Sequence, residues 1–87
     1  MTRSLDSLLF GLTDEQIVLP EDALLKDLLL EIRFEATFFG SEDVEVAVDR
    51  LMAAMRAGHI EHYQKVSALR SLNCLVKAYE RAPVFSG

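Results

Sequence analysis

His59-Ile60-Glu61-His62, with Cys74 twelve residues after His62, is the run whose residue types come nearest to a metal site. Two imidazoles three residues apart can share one helix face, and a thiolate adds a third ligand type that zinc accepts. A structural zinc site needs four ligands, and a catalytic one needs three plus an open position. His59 falls in the turn ahead of the helix that carries His62, so the pair reads as a surface turn histidine and a solvated or hydrogen-bonded His62. No metal and no other cofactor is expected. A reactive thiol calls for a helix N-terminus or close cations. Cys74 sits mid-helix beside Leu75, Val76 and Ala78, which predicts a small buried side chain, although Arg70 and Lys77 lie within a turn of it.

Carboxylates are plentiful: Asp27 with Glu31 and Glu35, and Asp43 with Glu45 and Asp49. General acid–base work needs such groups in a cleft with environments that push their pKa values apart. Here the spacing puts them on solvated helix faces, offset by Lys26, Arg33 and Arg50. No glycine-rich phosphate loop or nucleophile elbow occurs. The chain therefore reads as non-enzymatic, with no catalytic residue. Asp27/Glu31 and Glu31/Glu35 are like-charged pairs one turn apart, each slightly destabilising. Such a ridge is suited to meeting a basic partner surface.

Composition sets the bounds on what those residues can serve. The chain has 87 residues, 51% of them apolar, with five Phe, two Tyr and no Trp. That is room for one domain, and too greasy for a disordered tail. A chain this short buries only about 60% of the surface it exposes unfolded, so self-association is a common way to gain stability. Fourteen acids against nine bases give a net charge of −5, the wrong sign for a general nucleic-acid binder. One cysteine allows no intrachain disulfide and points to a reducing, cytoplasmic setting. No apolar run approaches the ~18 residues of a membrane span, and the start lacks the apolar stretch of a signal peptide. The expectation is a soluble protein with no membrane partner.

Proline and glycine divide the chain. Residues 1–19 read as a partly ordered arm whose leucines pack on the main body or on a partner: Leu5, Leu8, Leu9 and Leu12 share one side of two helical turns stopped by Gly11, and Thr13 with Gln16 fits a capping box. A first main helix is expected from Pro20, which suits the first helical position. Leu25, Leu28, Leu29, Ile32, Ala36 and Phe39 fall in one stripe, a core face. Leu30, Phe34 and Phe38 fall on the opposite side, so this helix is apolar on two flanks and needs two neighbours. Gly40 stops it, and Ser41 caps a second helix whose stripe is Val44, Ala47, Val48, Leu51, Ala54 and Met55. Met52 and Met55 read as core filler.

Gly58 ends the second helix, and a third runs from about Ile60 to Arg81. On it Leu69, Leu72, Val76 and Tyr79 follow the spacing of a short coiled-coil seam, with Tyr63, Cys74 and Ala78 as a weaker strip. Its bases Lys65, Arg70, Lys77 and Arg81 scatter over more than half the circumference, unlike a groove-reading helix. They complement the acidic first half of the chain, and an acidic first helix attracting a basic third one favours antiparallel packing. Residues 83–87 form a short tail.

A long helix ending near Phe38-Phe39-Gly40-Ser41, a second of similar length, and a third with Ala68-Leu69-Arg70 and Leu75-Val76-Lys77-Ala78-Tyr79 together resemble the AriR/YmgB group. The resemblance covers about Leu19 to Arg81 and rests on element order, lengths and a few apolar positions. It implies a small three-helix dimer tied to bacterial biofilm control and acid response, related to two-component connectors. The proline before the first helix, and the apolar Leu30, Phe34 and Phe38, depart from that group. A DNA-binding role associated with the group finds no matching residue here.

The reading is thus all-α: a three-helix antiparallel domain over residues 20–82 that forms a homodimer. A homodimer seam is expected at Leu69, Leu72, Val76 and Tyr79, or at Leu30, Phe34 and Phe38. The expected role is a regulatory adaptor that binds another protein. Alternatives are an acidic inhibitor covering a basic nucleic-acid-binding partner, or a small DNA-binding regulator.

Overall fold

Glycines at positive φ punctuate the fold, as the sequence requires. The computed structural model describes the backbone of residues 3–81 and the side chains of residues 5–78. Over that range the chain is all-helical, with four helices and no strand: α1 (Arg3–Leu9), α2 (Asp22–Phe39), α3 (Glu42–Ala57) and α4 (His62–Arg81). After α2, Gly40 adopts φ 74° and ψ 25°. Its N–H reaches the Thr37 carbonyl at 3.2 Å, and the Ser41 N–H reaches Ala36 at 2.9 Å. This is a Schellman closure, and it satisfies carbonyls that the helix end would otherwise leave bare. A Cβ at Gly40 would meet nothing within 4 Å, so Gly40→Ala pays only for the left-handed backbone. It is expected to cost about 1–2 kcal/mol, and Gly40→Asn less, read from urea midpoints.

The helix starts differ from expectation by a residue or two. Pro20 lies ahead of α2; Glu21 is the N-cap, extended at ψ 157°, and its carbonyl accepts from the Leu25 N–H at 2.9 Å. Proline thus sets the approach to the helix instead of its first turn. Ser41 does cap α3, though its side chain makes no capping hydrogen bond. At Thr13 the Gln16 side chain reaches back to the backbone N–H at 2.9 Å, closing a single turn. The same device recurs at α4, where Gln64 Oε1 accepts from the Glu61 N–H at 2.8 Å.

The core follows the apolar stripes. Leu25, Leu29, Ile32 and Ala36 of α2 meet Val44, Val48, Leu51 and Met55 of α3 and Val66, Leu69, Leu72 and Val76 of α4 in one buried cluster. Three of the residues expected as a possible dimer seam, Leu69, Leu72 and Val76, are therefore spent inside the single chain. The reason is tertiary: α3 packs on both α2 and α4, and the α4 stripe closes the side of the cluster that α2 leaves open. Tyr79's side chain and the 83–87 tail lie outside the described residues. Phe39, expected in the core, is half-exposed at the end of α2, its ring edge-on to Phe38 with centroids 5.7 Å apart.

The segment read as a partly ordered arm contributes to that cluster. Leu5, Leu9 and Ile17 are buried within it, and α1 packs on α4. An ordered series of ion pairs accompanies the packing: Asp6 with Lys77 at 2.7 Å, Asp14 with Arg70 at 2.9 Å, Asp22 with Lys65 at 3.0 Å. Each partly exposed pair is worth little alone. Taken in order, they run up residues 6–22 and down α4, which sets the direction of that segment. The acids that attract α4's bases thus lie mainly before α2, and only at its first turn within it.

Principal-axis extents are 43 × 28 × 17 Å. With helix axes packing about 8–10 Å apart, the thin dimension admits two helical layers and no third. Every long helix must then keep a face in solvent.

Candidate functional site

α2 spends that solvent face on apolar residues. Phe38 is 83% exposed, Phe34 76%, Leu24 55% and Leu30 50%. Single exposed apolar side chains are ordinary, but a contiguous set on one helix is a recognition surface. The spacing makes it contiguous. Leu24, Asp27, Glu31, Phe34 and Phe38 follow one another at three- and four-residue steps, the repeat of a seam that another helix can occupy. Leu30 stands one turn before Phe34 beside it. From Leu24 to Phe38 the seam is about 21 Å long at 1.5 Å per residue.

Charge on this face is one-sided. Asp27 and Glu31 are exposed on the seam itself, and among the described residues neither makes an ion pair. Lys26, beside Asp27 in sequence, is half-buried and among the described residues pairs with neither carboxylate, and Arg33 is turned to the α3 side. There its guanidinium donates to both oxygens of Asp49, at 2.9 and 3.2 Å, and lies 3.7 Å from Glu45.

Concave regions lie elsewhere on the described surface. An open cleft of about 290 Å³ lies between α1, Gly11 and α4, lined by Asp6, Phe10, Arg70, Asn73, Cys74 and Lys77 among others. Cys74 is exposed there, not buried as expected, because the inward stripe of α4 runs through Leu72 and Val76 and leaves Cys74 off it. Its cationic neighbours are already engaged: Arg70 with Asp14 and the Leu12 carbonyl, Lys77 with Asp6. Asn73 donates to Asp6 at 3.3 Å while its Oδ1 is buried without a partner. A second open groove, about 310 Å³, is lined by Ala47, Arg50, Leu51, Ala54, Ile60, Ala68 and Ser71.

The histidines and the cysteine do not converge. His62 Nε2 faces the Asp14 carbonyl at 3.3 Å, while Cys74 opens into the α1–α4 cleft. Among the described residues no group of three or more His, Cys, Asp or Glu is placed to hold a metal ion. Nor is any polar or charged residue buried as a whole among them, Asn73 being half-buried with only its Oδ1 out of solvent. No helix of the described residues is long and apolar enough to cross a membrane.

Two carboxylates feel their partners. Hydrogen bonds from Lys77, then Asn73, hold Asp6 below its usual 3.8, and the Arg33 hydrogen bond does the same for Asp49. The Arg33 guanidinium is raised in turn, chiefly by its hydrogen bond to Asp49. A depressed folded-state pKa adds stability that is complete above the unfolded value and drains away as pH falls through the lowered one. The urea midpoint of the wild type should therefore drop on acidification from about pH 5 downward. Asp6→Asn/Asp49→Asn should flatten that decline; an identical acid slope in both proteins would remove these two groups as its source.

Sequence reasoning located the α2 ridge, since Leu30, Phe34 and Phe38 fall off the core stripe by spacing alone. It missed Leu24 as part of the same face, and Val66 as core. For Leu24 the three-and-four stepping from Phe38 back through Phe34 was the available signal. Comparison with family models, curated proteins and solved structures found no match to this chain.

Proposed function

We propose that this protein is a non-enzymatic regulatory adaptor that works by presenting the outer face of α2 to another protein. The observation that carries this is the exposure of Leu30, Phe34 and Phe38, at 50%, 76% and 83%, on a helix whose opposite stripe is fully used in the core. Leaving that much apolar surface in water is unfavourable at about 25 cal/mol per Å², and a partner recovers it. We read α2, α3 and α4 as an antiparallel arrangement, supported by the Arg33–Asp49 pair spanning the short Gly40-Ser41 turn. The lone cysteine supports a reducing, cytoplasmic setting. Element order and length like those of the AriR/YmgB group support the regulatory role.

Self-association through the same face is the second reading, favoured by the small domain size and the aromatic pair at its end. A DNA-binding role draws little support, because Lys65, Arg70 and Lys77 of α4 are already paired to carboxylates. The test places a photo-crosslinking residue at Thr37, which is exposed beside the ridge, and compares wild type with Phe34→Ser/Phe38→Ser in the native host. The adaptor reading expects a crosslinked protein that the double substitution removes. Identical crosslinking with and without the aromatic pair refutes it. Light scattering at the same time reports whether the crosslinked species is a second copy.

A further inference from the structure

Resting on that reading, we infer that the occupant of the α2 face is a basic amphipathic helix, with apolar anchors flanked by Lys or Arg. The seam that an incoming helix would follow is not apolar throughout. Asp27 and Glu31 hold its second and third positions, between Leu24 on one side and Phe34 and Phe38 on the other. Covering the seam removes both carboxylates from water, and an unpaired buried charge is strongly unfavourable. Among the described residues no cation of the chain pairs with them: Arg33 is clasped by Asp49 and Glu45 on the far flank, and Lys26, half-buried beside Asp27, forms no ion pair with either. The cations must come with the partner.

A second copy laid along the whole seam supplies the wrong sign. It brings another Asp27 and Glu31 into the same contact, and each chain carries a net charge of −5. A partner helix of the same length, about 21 Å or fourteen residues, with aliphatic side chains over Phe34 and Phe38 and Lys or Arg over Asp27 and Glu31, satisfies both halves. This is helix-on-helix recognition of the kind read as anchors at three- and four-residue steps. Opposite charge also speeds encounter, and makes it salt-sensitive.

The test uses the full chain and an 18-residue Leu/Lys peptide with leucines at helical a/d spacing. Two controls accompany it: a Leu/Glu peptide of the same pattern, and a Leu/Lys peptide of the same composition with the pattern scrambled. Binding is followed by fluorescence anisotropy. The patterned basic peptide should bind at least ten-fold more tightly than either control. Asp27→Asn/Glu31→Gln and Phe34→Ser/Phe38→Ser should each weaken it by ten-fold or more. Because all four side chains are exposed, these variants should keep the wild-type urea midpoint, which separates lost binding from lost folding.

Equal affinity in the variants, or equal affinity for the scrambled or acidic peptide, overturns the inference. So does a dimer by light scattering that Phe34→Ser dissolves and the basic peptide does not, since a second copy then covers the face. If the peptide fails while the Phe34/Phe38-dependent crosslink to another protein persists, only the basic character of the partner is wrong. If that crosslink is also independent of the pair, the adaptor reading falls with it.

Discussion

Leu29→Ala is expected to cost the fold about 2–5 kcal/mol, the range for truncating a buried leucine where the cavity cannot collapse. Leu29 is fully buried in the middle of the α2 stripe, with Leu25 and Ile32 on either side and α3 packed against it. Total stability for a domain of this size is about 5–15 kcal/mol, so one such change removes a large share. The measurement is a urea titration followed by far-UV circular dichroism. A lower midpoint at unchanged slope means lost stability with the native fold retained. Phe34→Ala, only one turn and a residue further along the same helix, should change the stability by less than about 0.5 kcal/mol, as exposed substitutions do. The contrast is the point: equal effects at both positions would mean that the outer ridge is covered in solution, by a second copy or by a rearranged monomer.

That contrast was legible in the residues because α2 has two stripes, and periodicity separates them. What periodicity cannot decide is which stripe meets the same chain. The seam at Leu69, Leu72 and Val76 and the ridge at Leu30, Phe34 and Phe38 look equally suited to a partner on paper. The difference is supplied by tertiary geometry: α4 packs on α3, and Leu69, Leu72 and Val76 join the buried cluster that α2 and α3 share, while Leu30, Phe34 and Phe38 stay outside it. Cys74 shows the same limit from the other side. Its apolar neighbours in sequence imply burial, but neighbours in sequence on a helix point in different directions, and the inward direction is fixed by Leu72 and Val76. The turns were easier to read, since Gly11, Gly40 and Gly58 announce left-handed backbone at φ 72°, 74° and 76°. Helix starts were harder, because the N-caps of α2 and α4 are glutamates, a residue type that gives no strong capping signal.

Residues 1–19 are where sequence patterning left most undecided, and they carry the second large prediction. Leu5→Ala is expected to destabilise the whole domain by about 2–5 kcal/mol, as a core position does, with no separate early transition. Leu5 is fully buried, Leu9 and Ile17 are nearly so, and all three belong to the cluster that α2, α3 and α4 share. The Asp6–Lys77 and Asp14–Arg70 pairs hold the same segment in one direction along α4, so docking in a slipped register would lose both pairs. Leu12→Ala is the control. Leu12 lies in the same segment but is more than a third exposed, and its truncation should leave the stability within about 0.5 kcal/mol of the wild type. Hydrogen exchange reads the alternative directly. If amides of residues 5–17 exchange far faster than those of Leu29 and Leu69 in the wild type, α1 opens on its own and not with the global transition. Leu5→Ala would then leave the main unfolding midpoint where it was, and the domain's stability would have to come from α2, α3 and α4 alone.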